Sequence, residues 1–481
     1  MKRVATVSVL LVASLALAAC GGSSKSSSSK RVNLTLWAGW SAGTHELKAF
    51  KSLVDEYNAK QKKIHVKVVG DINDTKIVAA IRSGTAPDIV SSFNSYNVGN
   101  YCGTGAWIDL SPYLKKDHID VNEFPPATRY YTQYGGKRCA LPLLADTYGL
   151  YYNKTLFANA GIKRPPKTIS ELTADVKKLT QRSSDGTIQV AGLDPLIGFY
   201  ENVPERWSTS FNVKWLKPGG TSSDIADDPG WRKLFEWQKS LVDWYGYGKL
   251  VRFQSGLGDE FSASQAFEKG KLAMNLDGEW RVAFIADEVP HLNYGTAPMP
   301  VDDAHPELYG SGYINGTIIG IPKGKKHNDE AWQVVKYLTT DPHFLAQFSN
   351  KIRNVPTTKA ALRSSEIQPD PHFSTFLKIF SNPHSTTSPI MASGVAYTNF
   401  VQSFFTKWQG SNGQGLEGKL RNLAKELDAQ VKQAGGGGSA VPRDSDPPRT
   451  PGPSRSRRRR HSRAVRGSGG RPGAAAAWCC C

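Results

Sequence analysis

The sequence predicts an α/β protein of two domains whose sheets are mainly parallel. Three observations carry that prediction. About 400 residues lie between two atypical ends, too many for one hydrophobic core. Apolar spacing switches repeatedly between period two and a period near 3.6. The two patterns alternate along the chain, and a strand–helix–strand series closes into a mainly parallel sheet covered by helices.

The elements follow in order. Val32, Leu34 and Leu36 alternate as a first strand, and Leu47, Phe50, Val54 and Tyr57 recur at helical spacing after Thr44. Ile64, Val66 and Val68 make a second strand. Ile77 to Ile81 is a short helix stopped at Gly84, and Ile89-Val90 is a third strand after Pro87. Thr168-Ile-Ser-Glu171 has the capping-box form and opens a helix faced by Ile169, Leu172, Val176 and Leu179. Asn328 to Thr340 is a helix bearing Trp332, Val335 and Leu338. Leu416, Leu420, Leu423, Leu427 and Val431 line the last helix.

The ends of the chain are not fold. Lys2 and Arg3 precede an apolar run from Val4 to Ala18, an export signal over 1–20. It ends Leu17-Ala-Ala-Cys20, which resembles the lipobox of bacterial lipoproteins, and Cys20 is the lipidated residue that this resemblance implies. Residues 21–30 are a Gly/Ser/Lys tether. Residues 435–481 are rich in Gly, Pro, Ser and Arg and cannot form a core, so they read as a disordered basic tail. The tail is either a wall-contacting segment or translation past a natural stop. Its ten Arg against two Asp supply +8 of the formal charge of +18, so the basic balance does not describe a binding face. An exported chain of this kind is not expected to bind nucleic acid. In the same compartment Cys102 and Cys139 are predicted to pair as a disulfide. No metal or cofactor is expected, since the His residues lack ligand spacing.

Several stretches resemble the extracellular solute-binding proteins of ABC importers, specifically the sugar-binding family that includes the maltodextrin-binding proteins. They are Leu34-Thr-Leu-Trp-Ala-Gly-Trp40, Ile81-Arg-Ser-Gly-Thr-Ala-Pro-Asp-Ile-Val90, Gly105-Ala-Trp-Ile-Asp-Leu-Ser-Pro-Tyr-Leu114 and Leu150-Tyr-Tyr-Asn-Lys154. Ala266-Phe-Glu-Lys-Gly-Lys-Leu-Ala-Met274, Gly278-Glu-Trp280 and Ala297-Pro-Met-Pro300 continue the series in the same order. The resemblance implies a bilobal periplasmic-binding-protein-like fold with three hinge crossings, near Leu141–Leu144, Gly310–Asn315 and Lys351–Pro356. Lobe one is then 31–141 plus 316–351, and lobe two 142–315 plus 352–434. It also implies capture of an extracellular sugar, from mono- to oligosaccharide, and its delivery to ABC permease subunits. The carrier is expected to be a monomer held by lipid at the outer face of the cytoplasmic membrane.

A sugar presents C–H faces to aromatic rings and hydroxyls to acids and amides. Residues of those types at cleft positions are the candidates for ligand binding. Trp40, Ser41 and Thr44 follow the first strand, with Trp37 assigned to packing. Asn94 and Tyr96 follow Pro-Asp-Ile-Val. Asp146 matches, residue for residue, an acidic sugar ligand of the maltodextrin binders just before their Tyr-Asn-Lys, and Tyr148 is its neighbour. Glu279 and Trp280 align with the Gly-x-Trp motif. Tyr313 and Asn315 lie in the second crossing and Arg353 in the third. The alternative for Asp146 is an ion pair with Arg129 or Arg138. Arg353 has the alternatives of an anionic ligand, Asp303 or Glu307. The first-strand loop lacks the charged residues of the maltodextrin binders, so maltose does not follow, and a polyol or glycerol phosphodiester stays open.

The competing class is a secreted carbohydrate-active enzyme. Glycoside hydrolysis needs two carboxylates at a defined separation. Asp277, Glu279 and Asp146 are acids without a motif that sets one, and no nucleophile elbow, zinc-protease or P-loop motif is present. The expectation is a binder, not an enzyme.

Overall fold

The computed structural model describes residues 31–433. The export signal with Cys20, the tether and the basic tail lie outside the described residues. Among the described residues no helix is long and apolar enough to cross a membrane.

Strands β1 (Val32–Trp37), β2 (Ile64–Val69) and β3 (Ile89–Ser92) open the fold. β1 pairs in parallel with both neighbours, Val32 opposite Ile64 and Leu36 opposite Ile89. Alternation buries Leu34 and Leu36 on one face. Helix His45–Lys60 covers that face with Leu47, Phe50, Leu53 and Val54, and each such side chain contributes about 1.5–3 kcal/mol on burial. Thr44 caps this helix by accepting from the Leu47 N–H. Helix Ile169–Leu179 is capped by Thr168, which accepts from the Glu171 N–H. The Glu171 carboxylate bonds Arg164 and the Lys167 N–H.

β4 (Leu141–Asn153) is the longest strand. The minor pair β5 (Gln181–Arg182) and β6 (Ile188–Val190) forms a separate two-stranded sheet. β7 (Met274–Gly278), β8 (Tyr294–Ala297) and β9 (Ile314–Gly320) all join the large sheet. Its order is β2-β1-β3-β9-β4-β7, with β8 also on β4. Among these strands parallel pairing is confined to β1, β2 and β3; every strand pairing that involves β4 or β9 is antiparallel. The expectation of mainly parallel sheets is corrected here, and the reason is topological. β4 carries the chain out of one core and β9 brings it back, so two neighbours must run in opposite directions.

Two apolar clusters meet along these strands. Leu141, Leu143 and Leu144 pack with β1, β2 and helix His45–Lys60, whereas Tyr148, Leu150 and Tyr151 pack in the second core. Ile319 and Ile321 belong to the first core, and Tyr313, Ile314 and Ile318 to the second, so the two faces of β9 are divided between them. Ile352 lies in the first core and Val355 in the second, and Ala361 packs again in the first. The three passages lie side by side. Ala145 and Val355 exchange backbone hydrogen bonds of 3.0 and 3.1 Å, and Ala145 also faces Gly316. A Cβ on Gly316 would stand 2.3 Å from the Leu144 carbonyl, so this close approach needs glycine.

Cys102 and Cys139, 37 positions apart in the sequence, are bridged, with Cα atoms 5.5 Å apart. The bridge ties helix Val98–Gly103 to the chain just before β4. Closing a loop of that length removes denatured-state entropy worth about 3–4 kcal/mol. Replacing both cysteines by serine is expected to lower the unfolding free energy by that amount. Denaturant titration with and without reductant checks it: reductant should shift the native chain and leave the variant unmoved.

Candidate functional site

The site grows from strand alternation at the hinge. Asp146 stands opposite Asn315, and Thr147 opposite Ile314. Asp146 and Tyr148 therefore project from one face of β4, alongside Asn315 and Tyr313 of β9. That face gathers most of the predicted residues. The Tyr96 hydroxyl is hydrogen-bonded to that of Tyr313, which also bonds Ser388 Oγ at 2.6 Å. Ser95 Oγ donates to Asn315. The Trp280 ring meets Tyr148 edge-on at 5.7 Å, and Tyr148 lies 6.1 Å from Tyr313.

Asp146 has a different partner from the two arginines considered for it. Arg129 donates to Asn122, and Arg138 donates to the Arg129 carbonyl and Gln133. Asp146 Oδ1 instead accepts from Asn354 Nδ2 at 2.9 Å. The same nitrogen donates to Glu279 Oε1 at 2.8 Å. Glu279 Oε2 accepts the Thr147 N–H at 2.7 Å. Burial pushes the Asp146 carboxyl up to about 7; Arg206 opposes the shift and Glu201 adds to it. Burial, then the neighbouring Asp146, holds Glu279 well above the carboxylate range.

Asn354 reaches this position because of Arg353. Helix Pro342–Ile352 ends there in a left-handed conformation, φ 56°, and the turn aims the next side chain at the acids. The Arg353 side chain itself leaves the site, so it is corrected as a ligand candidate. It reaches Asp370 at 3.9 Å, the Gln368 carbonyl and the Phe373 ring, and it pairs with neither Asp303 nor Glu307.

The loop after β1 stands apart from that face. Trp40 is 8% exposed and packs on Phe50, Phe93 and Phe348 with centroids 5.0–5.5 Å apart. Its ring is spent on the first core. Trp37, assigned to packing, is half-buried at the end of β1 and packs against the second core, with Lys76 over its ring. Thr44 uses its oxygen as a helix cap, and Ser41 is exposed on the same loop. Asn94 lies on the loop after β3 with its Oδ1 buried and unpartnered; the Trp280 indole N–H is likewise buried and unpartnered. Such atoms are costly unless a ligand or water completes them.

Sequence reasoning missed Arg206 and Asn354. The Arg206 guanidinium lies 3.9 Å from the centre of the Tyr148 ring and donates to Tyr96 at 3.4 Å. Glu201 holds it at 3.0 Å. Pro-Glu-Arg-Trp carries no motif that marks the arginine. Asn354 had one signal, its place inside the predicted third crossing.

A second polar network supports β7. Arg281 is fully buried and donates to Asp277 at 2.8 Å, Glu268 at 3.2 Å and the Glu260 carbonyl at 2.8 Å. Asn275 also donates to Asp277. These bonds set the end of the strand from which Glu279 and Trp280 emerge. Among the described residues no group of three or more His, Cys, Asp or Glu is arranged to hold a metal ion.

A hinge of three passages with acids, amides and aromatics on one face suits a molecule rich in hydroxyls. Residues 52–375 match the family described as bacterial extracellular solute-binding protein. The chain is 23% identical over 334 residues to a maltotriose-binding protein of Pyrococcus abyssi, covering 68% of this chain and 67% of that protein. It is 25% identical over 405 residues to a maltooligosaccharide ABC transporter solute-binding lipoprotein of Streptococcus pneumoniae, covering 79% and 86%. Among solved structures, CpMnBP1 with mannobiose bound matches with a TM-score of 0.72 at 28% identity, over 83% of this chain and 100% of that one. The GacH receptor of Streptomyces glaucescens matches in fold with a TM-score of 0.67 at 19% identity, over 84% and 99%. With two thirds of its length matched to the family and its fold shared with bilobal binding proteins, the chain belongs to the bacterial extracellular solute-binding proteins.

Proposed function

We propose that this protein captures an oligosaccharide between its lobes and delivers it to an ABC importer. The observation that carries the reading is the single face at the hinge where Asp146, Glu279, Asn315, Tyr148, Tyr313 and Trp280 come together. The relatives named for maltotriose and maltooligosaccharide, and the mannobiose-bound structure, support the ligand class. Charge supports a neutral ligand: the cation beside this face, Arg206, is already engaged by Glu201 at 3.0 Å. That balance disfavours a phosphodiester.

The reading is binding without turnover. A glycosidase places a glycosidic bond between its two carboxylates. Here one amide nitrogen already sits between Asp146 and Glu279 and bonds both. Lobe one is proposed as 31–141 plus 316–351 and lobe two as 142–315 plus 352–434. Export and lipid attachment through Cys20 would hold the protein, as a monomer, at the outer membrane face beside the permease; the lipobox-like Leu17 to Cys20 supports this.

Calorimetry against manno- and malto-oligosaccharides, with chromatography of each mixture afterwards, tests the proposal. At least one sugar is expected to bind and to be recovered intact. A cleaved product would overturn the binder reading.

A further inference from the structure

The acids at the hinge are arranged for more than accepting hydroxyls. Asp146 lies on the first passage between cores, Asn354 on the third, and Glu279 just after β7. The two N–H bonds of one planar amide diverge by about 120°, so the two acceptor oxygens are held within roughly 5 Å of each other. Both oxygens of Glu279 accept N–H donors, Oε1 from Asn354 and Oε2 from Thr147. Each of these oxygens thus has one N–H donor already placed on it. On Asp146 the Asn354 bond falls on Oδ1, which leaves Oδ2 for a proton or a ligand hydroxyl.

The surroundings do not neutralise two charges. From the segment 201–206 come Arg206 and Glu201, paired at 3.0 Å. From helix Pro126–Tyr131 comes the Tyr131 phenol, and from β4 itself the Tyr148 phenol; both are held un-ionised, by burial first and by the acids. Asn315 beside Asp146 is neutral and engaged with Ser95. Two buried carboxylates this close do not both ionise readily.

We propose that Asp146 carries a proton in the ligand-free protein and that a solute hydroxyl bonding to Asp146 displaces it, so that solute binding and proton release are one linked step. The Oδ2–H bond breaks, its electron pair stays on the carboxylate, and the proton passes to water or buffer. The solute hydroxyl then donates to the carboxylate, a charge-assisted bond stronger than one to a neutral acid. The upward shift of Asp146 to about 7, caused first by burial, places the step near neutral pH. Affinity is lowest in acid, where the proton must be removed, and levels off above the midpoint.

The sugar arm of this proposal rests on the oligosaccharide reading; the proton itself does not, and two measurements separate them. Calorimetry of the full chain with mannotriose and with maltotriose, between about pH 5.5 and 8.5 in buffers of differing ionisation enthalpy, reads the linkage. Proton release and affinity rising up to about tenfold per pH unit below the midpoint are expected. Asp146→Asn should abolish the pH dependence. Affinity flat with pH, or proton uptake, would overturn the proposal. Infrared difference spectra of ligand-free native chain and Asp146→Asn read the proton directly. A protonated-carboxyl band that titrates away near neutrality in the native chain, and is missing in the variant, supports it. Identical spectra overturn it whether or not either sugar binds. The band without binding of any sugar would instead sink the oligosaccharide reading.

Discussion

Replacing Arg281 by methionine is expected to destabilise the fold by about 3–5 kcal/mol, the cost of stranding buried acids without their cation. Arg281 is fully buried and bonds Asp277 and Glu268, both buried themselves. Burial already holds those two carboxyls above their usual range, and Arg281 is the group pulling them back. Without it both rise further, so the folded variant must carry protons that the unfolded chain gives up near pH 4. A raised folded-state value means stability that is present in acid and lost as pH rises. Urea unfolding should therefore show a deficit that is larger at about pH 8 than at about pH 5. An equal deficit at both would assign Arg281 to packing alone. Phe261 and Phe284 flank the guanidinium, so a methionine keeps part of that contact.

Asp146→Ala is the second large effect, and it separates binding from folding. Loss of a charge-assisted hydrogen bond should weaken sugar affinity by on the order of 1.5–3 kcal/mol, about 10- to 150-fold. The fold should not suffer, because one member of a repelling buried pair is removed and Asn354 keeps its bond to Glu279. The native Asp146 sits at about 7 against an unfolded value of about 4. It therefore subtracts stability progressively as pH rises through that window, and the alanine variant should lose that slope. Calorimetry with the best-binding sugar and thermal melts from about pH 4.5 to 8 read the two halves. A variant that binds normally but loses its cooperative melt would make Asp146 a structural residue.

The candidate site divides into what short windows encode and what they do not. Asp146 and Tyr148 were legible because Leu150-Tyr-Tyr-Asn-Lys154 sets their place in a recurring strand. Tyr313 and Asn315 were legible from position inside a crossing. Trp40 was misread because alternation ends with β1 at Trp37, and the loop then folds Trp40 back onto Phe50 and Phe348. Arg353 was misread because a left-handed turn points its neighbour, not itself, at the acids.

The linear order of residues was enough for the α/β class, the helix caps at Thr44 and Thr168, and the faces of the amphipathic helices, since each depends on periodicity within a turn or two of chain. Pairings across long separations needed the folded chain. Asn354 meets Asp146 over 208 residues and Glu279 over 75, and the Arg206 hydroxyl partner Tyr96 lies 110 residues away. Those meetings depend on which strands lie beside one another and in which direction. Direction was misjudged for β4 and β9, because a local pattern records that a segment is extended and buried but not whether its neighbour is leaving the lobe or returning to it.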